Sequence, residues 1–108
     1  MPIKELTANN FDQVLESNKL LVIDFCADWC QPCKAFEKIM LSVENDYPEV
    51  MFGRVNVERE KALAEEFEVR SVPFVMIIKN RTAMYAESGV LSIQGLREML
   101  DQAAVIKI

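Results

Sequence analysis

Along the chain, apolar residues alternate between helical spacing and short continuous runs. Phe11, Val14 and Leu15 give the apolar face of a short helix over Phe11 to about Ser17, with Asn10 placed to cap it and Gln13 in the capping-box position. Ser17-Asn18-Lys19 ends it, and Leu20 to Phe25 (LLVIDF) follows as a run of strand formers in which only Asp24 is polar. Such a run marks a central strand covered on both faces. From Cys33 onward, Phe36, Ile39, Met40, Val43 and Tyr47 recur at helical spacing until Pro48 closes the stripe. Met51 to Val57 reads as the second strand, and Ala62, Leu63 and Phe67 mark a third helix between about Glu58 and Glu68.

Pro73 to Ile78 and Ala83 to Ala86, joined by Lys79-Asn80-Arg81-Thr82, read as an antiparallel hairpin. Gly89 breaks the pattern, and Ser92 is placed to cap a last helix with Leu96, Met99, Leu100 and Ala103 on its apolar face. The order α β α β α β β α predicts an α/β fold. Helical crossovers make strands parallel and the closing hairpin adds an antiparallel pair, so a mixed central sheet with helices on both faces is expected. With 108 residues, the whole of 1–108 is read as one domain.

Composition narrows the chemistry. The chain has no histidine, which removes the commonest general base, the Cys-His and Ser-His nucleophile pairs and imidazole metal ligands. A net charge of −5 with no basic run argues against nucleic acid or an anionic membrane as partner. The start MPIKELTANN has no apolar stretch of the kind a secretory leader needs, and no segment is long and apolar enough to span a membrane. A cytoplasmic monomer is the expectation. Three cysteines without an export signal favour a reducing compartment, where a close pair is more often catalytic or metal-binding than structural.

That pair is Cys30 and Cys33, set where the first strand runs out and a helix begins. At i and i+3 in a first helical turn the two are close enough to bridge. Cys30, at the helix start, is placed for thiolate stabilisation by unpaired N–H groups, and Cys33, one turn in, is the more covered; an exposed nucleophile and a resolving thiol are expected. Asp24, two residues before the strand's exit and on the face of Cys26, is a buried carboxylate able to relay a proton to or from Cys33. Trp29 is expected to be a part-exposed apolar platform. Pro73 inside an apolar run removes a ladder donor, so an edge or a cis turn is expected there.

The residues FDQVL, VIDF entering DWCQPCK, VRSVPF, the hairpin with KN at its turn and Gly89 before the last helix together resemble the thioredoxin family across nearly the whole chain. The resemblance implies the thioredoxin fold, dithiol-disulfide exchange and a cis peptide at Val72-Pro73 facing the disulfide. It matches Cys30 to the attacking cysteine, Cys33 to the resolving cysteine and Asp24 to the buried acid. Trp29, Gln31, Pro32, Val72, Pro73 and Gly89 match the surface on which a disulfide-containing protein substrate lies. It further implies a flavin-containing thioredoxin reductase supplied by NADPH as electron donor, with no cofactor and no metal bound to this chain.

Four positions depart from the family pattern. Gln31 stands between the cysteines where glycine is usual, Cys26 where tryptophan is usual, Lys38 where a helix proline is usual, and Arg54 where a lysine is usual. The first bears on redox potential and partner range, since about 30 mV is already about 1.4 kcal/mol for a two-electron couple. Loss of the proline straightens the helix. Cys26 leaves three readings open: an apolar filler of part of a tryptophan's space, a candidate regulatory thiol that trades with the pair, or part of a C-x3-C-x2-C cluster loop like that of radical enzymes using S-adenosylmethionine. At the level of function, the alternatives to a protein-disulfide reductase are an interaction or redox-sensor module on the same fold, and a metal or iron–sulfur binder.

Overall fold

The computed structural model describes residues 3–107. Its elements are β1 (Ile3–Glu5), α1 (Phe11–Ser17), β2 (Leu20–Cys26), α2 (Gln31–Glu44), β3 (Val50–Asn56), α3 (Lys61–Glu66), β4 (Phe74–Lys79), β5 (Thr82–Ser88) and α4 (Ile93–Val105). They form a five-stranded sheet in the order β1-β3-β2-β4-β5. β3 runs parallel to both β1 and β2, while β4 is antiparallel to β2 and to β5. The mixed sheet expected from the alternation is therefore present.

Every residue of β2 is buried, as the apolar run requires of the central strand. Alternation divides its side chains between two cores. Leu20 and Val22 pack with Phe36 and Met40 of α2 and Leu96 and Leu100 of α4. Leu21, Ile23 and Phe25 pack on the other face with Phe11 of α1 and Leu63 of α3. By the same alternation Asp24 and Cys26 belong to the face covered by α2. The sequence carried no signal for β1, because three residues with only Ile3 buried show no period; its pairing to β3 makes it a strand. Close approach there explains Gly53, where a Cβ would lie 2.7 Å from Leu6 Cδ1.

Several boundaries differ from expectation for identifiable reasons. Asn10 does not cap α1: its Oδ1 turns back to accept from Thr7 N at 2.8 Å, and no helix N–H is capped by its side chain. α3 is shorter than the stretch Glu58 to Glu68. At its start Asn56 Oδ1 accepts from the N–H groups of Glu58 and Arg59, which makes an Asx turn of residues that otherwise extend the helix. At its end Glu68 takes a left-handed φ of 53° and Val69 N bonds Ala64 O, a Schellman closure. α2 stops at Glu44, and Tyr47 leaves the helix to give its hydroxyl to Asp101 of α4 at 2.8 Å.

The hairpin turn is the two residues Asn80 and Arg81, both at positive φ (49° and 67°), the conformation that matches the twist of the flanking strands. Ser92 caps α4 as expected, its Oγ accepting from Gly95 N at 2.9 Å. At the other end of α4, Lys79 Nζ donates to the carbonyls of Ala103 and Ile106, both at 2.6 Å. No helix among the described residues is long and apolar enough to cross a membrane.

Candidate active site

The carboxyl end of β2 delivers the chain through Ala27, Asp28 and Trp29 to Cys30, the N-cap of α2. Cys30 has an extended backbone (φ −86°, ψ 108°) and its Sγ accepts from Cys33 N at 3.2 Å, doing with sulfur what a serine or aspartate oxygen does at other helix starts. Gln31 and Pro32 are the first two helical residues and both are exposed. Proline is tolerated there because its missing N–H has no intrahelical partner to lose. Cys30 and Cys33 are joined by a disulfide with Cα atoms 5.3 Å apart.

The expected asymmetry of exposure is absent. Cys30 is 2% and Cys33 3% exposed, because Cys26 and Ala27 pack with them and Val57 and Val72 cover the cluster. What is exposed is Trp29, at 67%, anchored by its Nε1 donating to Glu58 Oε2 at 3.1 Å. Trp29 shares a groove of about 370 Å³ with Val57, Val69, Arg70, Ser71 and Val72. The Val72-Pro73 peptide is cis. Pro73 precedes β4 instead of opening it, so its missing N–H costs the sheet no ladder bond. Gly89, at φ +109°, donates its N–H to Pro73 O at 2.8 Å and so ties the two segments of this rim together. The structure thus brings Trp29 and Val72 to the disulfide and Gly89 to Pro73.

On the face of β2 that α2 covers, Asp24 is 1% exposed and its Oδ1 has no hydrogen-bond partner. Burial raises its carboxyl from 3.8 to about 7, with Arg54 pulling the value down and Glu37 pushing it up. Cys26 is pushed up to about 12, first by burial and then by the Asp24 charge, and its Sγ lies 3.5 Å from Val55 O as a donor to that carbonyl. No group of three or more His, Cys, Asp or Glu side chains among the described residues is arranged to hold a metal ion.

Glu58, Arg70 and Glu37 were not singled out by sequence. Glu58 lies 29 residues from its partner Trp29, a distance that no local pattern bridges. Glu37, four residues after Cys33, had a legible signal in its helical spacing.

Comparison with known proteins agrees with this geometry. The thioredoxin family model matches residues 2–102. A putative thioredoxin 2 of Streptomyces coelicolor is 37% identical over 99 residues, covering 92% of this chain and 74% of its own. A thioredoxin of Buchnera aphidicola is 34% identical over 102 residues, covering 93% and 94%. The chain belongs to the thioredoxin family. A solved mutant thioredoxin from Halobacterium salinarum superposes with a TM-score of 0.88 at 21% identity, over 97% of this chain and 93% of that one, and shows the shared fold. As a thioredoxin with a Cys30–Cys33 disulfide, the protein is a thiol-disulfide oxidoreductase acting on disulfide-containing substrates. Its redox centre is the cysteine pair itself, which needs no cofactor.

Proposed function

We propose that this thioredoxin is a protein-disulfide reductase in which Cys30 attacks and Cys33 resolves. The observation that carries the assignment is the position of Cys30 Sγ as the N-cap acceptor of α2, where the Cys33 N–H and the helix dipole favour a thiolate. The Cys30 thiolate attacks one sulfur of a substrate disulfide; a mixed disulfide forms and the other substrate sulfur leaves as a thiolate. Cys33, giving its proton to Asp24, then attacks Cys30 Sγ. The second substrate sulfur leaves, the Cys30–Cys33 disulfide closes, and two electrons have passed to the substrate. A buried carboxyl near 7 suits this role, since it can accept and return a proton at neutral pH.

The groove between Trp29 and Val72, with Gln31, Pro32, Pro73 and Gly89 around it, is the surface on which the substrate chain lies, supported by the exposure of Trp29 and the Gly89–Pro73 bond. Cys26 is assigned a packing role, supported by its burial and its contact to Val55 O. A flavin-dependent reductase drawing on NADPH is the electron donor this cycle calls for, and the cytoplasm is the compartment that a reducing role fits.

Trapping tests the assignment. Cys33→Ser, reduced and mixed with insulin, is expected to accumulate a mixed disulfide through Cys30, while Cys30→Ser forms none. Trapping through Cys33 in the Cys30→Ser variant would overturn the order of attack. A reduction potential more oxidising than that of the glutathione pool would overturn the reductase direction.

A further inference from the structure

Cys33 and Glu37 are four residues apart on α2 and therefore share a helix face. Arg54 meets that face from β3, where it is the register partner of Asp24 on β2. Its guanidinium gathers carboxylates from three segments: Glu37 at 3.0 Å, Glu5 of β1 at 3.4 Å and Asp28 of the loop before Trp29 at 3.7 Å. Arg54 Nε is buried and finds no hydrogen-bond acceptor. Among the described residues no ion pair joins Arg54 to Asp24, although the two face each other across the strands.

Two hollows meet at this pair. The inner one, about 70 Å³, is lined by Cys26, Asp28, Cys33 and Lys34 together with Glu37 and Arg54. The outer one is an open cleft of about 550 Å³ lined by Lys4, Glu5 and Met51, again with Glu37 and Arg54. We propose that the Glu37–Arg54 pair is the proton gate of the resolving thiol: it stands between the open cleft and the inner hollow that Cys33 lines, and Glu37 is the positioning residue that holds the Arg54 guanidinium off the Asp24 carboxyl. This rests on the reading of Asp24 as the proton acceptor.

The charges around Asp24 give the sign. From β3 Arg54 draws the proton off; from α2 Glu37 keeps it on. Lys34 and Cys33 of α2, Cys26 of β2 and Asp28 of the following loop line the inner hollow, and Glu5 and Asp28 each pair with Arg54. β4 presents the uncharged Val75 opposite Asp24. The α4 residues in the core on this side, Leu96, Leu100 and Ala103, are apolar. Removing the Glu37 charge deletes a like charge and leaves Arg54 less neutralised, so both effects make Asp24 release its proton more readily. Because the Glu37 and Arg54 side chains are 38% and 25% exposed, solvent screens the effect, and a shift of about half a unit to one unit follows.

The test is a pH series on the full chain with two readouts. One is the rate of insulin-disulfide reduction by the reduced protein in a single turnover, followed by Trp29 emission; the other is the Asp24 carboxyl carbon shift by NMR. Glu37→Gln is expected to lower both midpoints by about half a unit to one unit, Glu37→Asp to restore them, and Arg54→Gln to raise them. A Glu37→Gln protein that melts with the wild type and keeps both midpoints overturns the gate. Should Glu37→Gln fail to fold, Arg54→Gln carries the test, and an unmoved midpoint there overturns it equally. Asp24→Asn separates the two layers. If it retains the pH-dependent limb, the proton-acceptor reading itself is wrong; if it abolishes the limb while Glu37→Gln moves nothing, only the gate is wrong.

Discussion

Asp24→Asn tests how much stability the active site holds in reserve. In the folded chain the carboxyl titrates near 7 against 3.8 in the open chain, a displacement of about 3 units caused chiefly by burial. Between those values the folded protein keeps a proton that the unfolded chain has released, so stability falls as pH rises, by about 1.4 kcal/mol per unit and about 4 kcal/mol in all. The contribution is fully present below about pH 4 and is lost once pH passes the folded value of about 7. Asparagine cannot ionise and escapes this loss. Its amide adds donors to a pocket where Oδ1 already lacks a partner, but that offset does not depend on pH. Urea denaturation of the oxidised wild type and variant, at steps from about pH 4 to about pH 8, reads the effect, because titrating groups that do not interact with Asp24 cancel in the difference. The variant is expected to gain on the wild type steadily through this window, by about 4 kcal/mol between the ends. A gap that stays constant with pH would refute the claim that Asp24 is buried with its proton.

Three further outcomes follow from the packing. Cys26, with its thiol held near 12 and 3% of its surface exposed, is expected to resist iodoacetamide in the folded protein and to react once urea is added, with mass spectrometry locating the label; rapid labelling of the native fold would restore a regulatory role. Gly89→Ala forces φ +109° on a residue that disfavours it, although nothing lies within 4 Å of the new Cβ. A loss of about 1–3 kcal/mol in denaturation is expected, with slower insulin reduction because the Gly89–Pro73 bond positions the rim. Lys79→Met removes the cation that caps the carbonyls of Ala103 and Ile106, and a lowered melting temperature corresponding to about 1 kcal/mol is expected; an unchanged melt would show the cap to be idle.

The fold was legible where burial is strong and repetitive. β2 and the apolar stripes of α2 and α4 stood out because each must hide a continuous surface, and the Cys30/Cys33 pair because its spacing is local. β1, the Asx turn at Asn56 and the true cap of α1 were not legible. Each depends on a competition among short-range hydrogen bonds, or on pairing with a strand some fifty residues away, as Ile3 pairs with Phe52. The exposure of Cys30 was misjudged for a similar reason. A helix N-terminus by itself suggests an open thiol, but Val57 and Val72, brought in from other segments, cover it.

By itself, then, the amino-acid order determined the alternation of elements, the dithiol at a strand-to-helix junction and the presence of an acid within a buried strand. These are properties of near neighbours, set by side-chain period and backbone preference. Only the tertiary structure decided what that acid experiences. Asp24 sits two residues behind Cys26 in sequence, yet its proton affinity is governed by burial under α2, by Arg54 arriving from β3 and by Glu37 arriving from α2. Electrostatic energy depends on distance through space and on access to water, and neither is written in the order of residues along the chain.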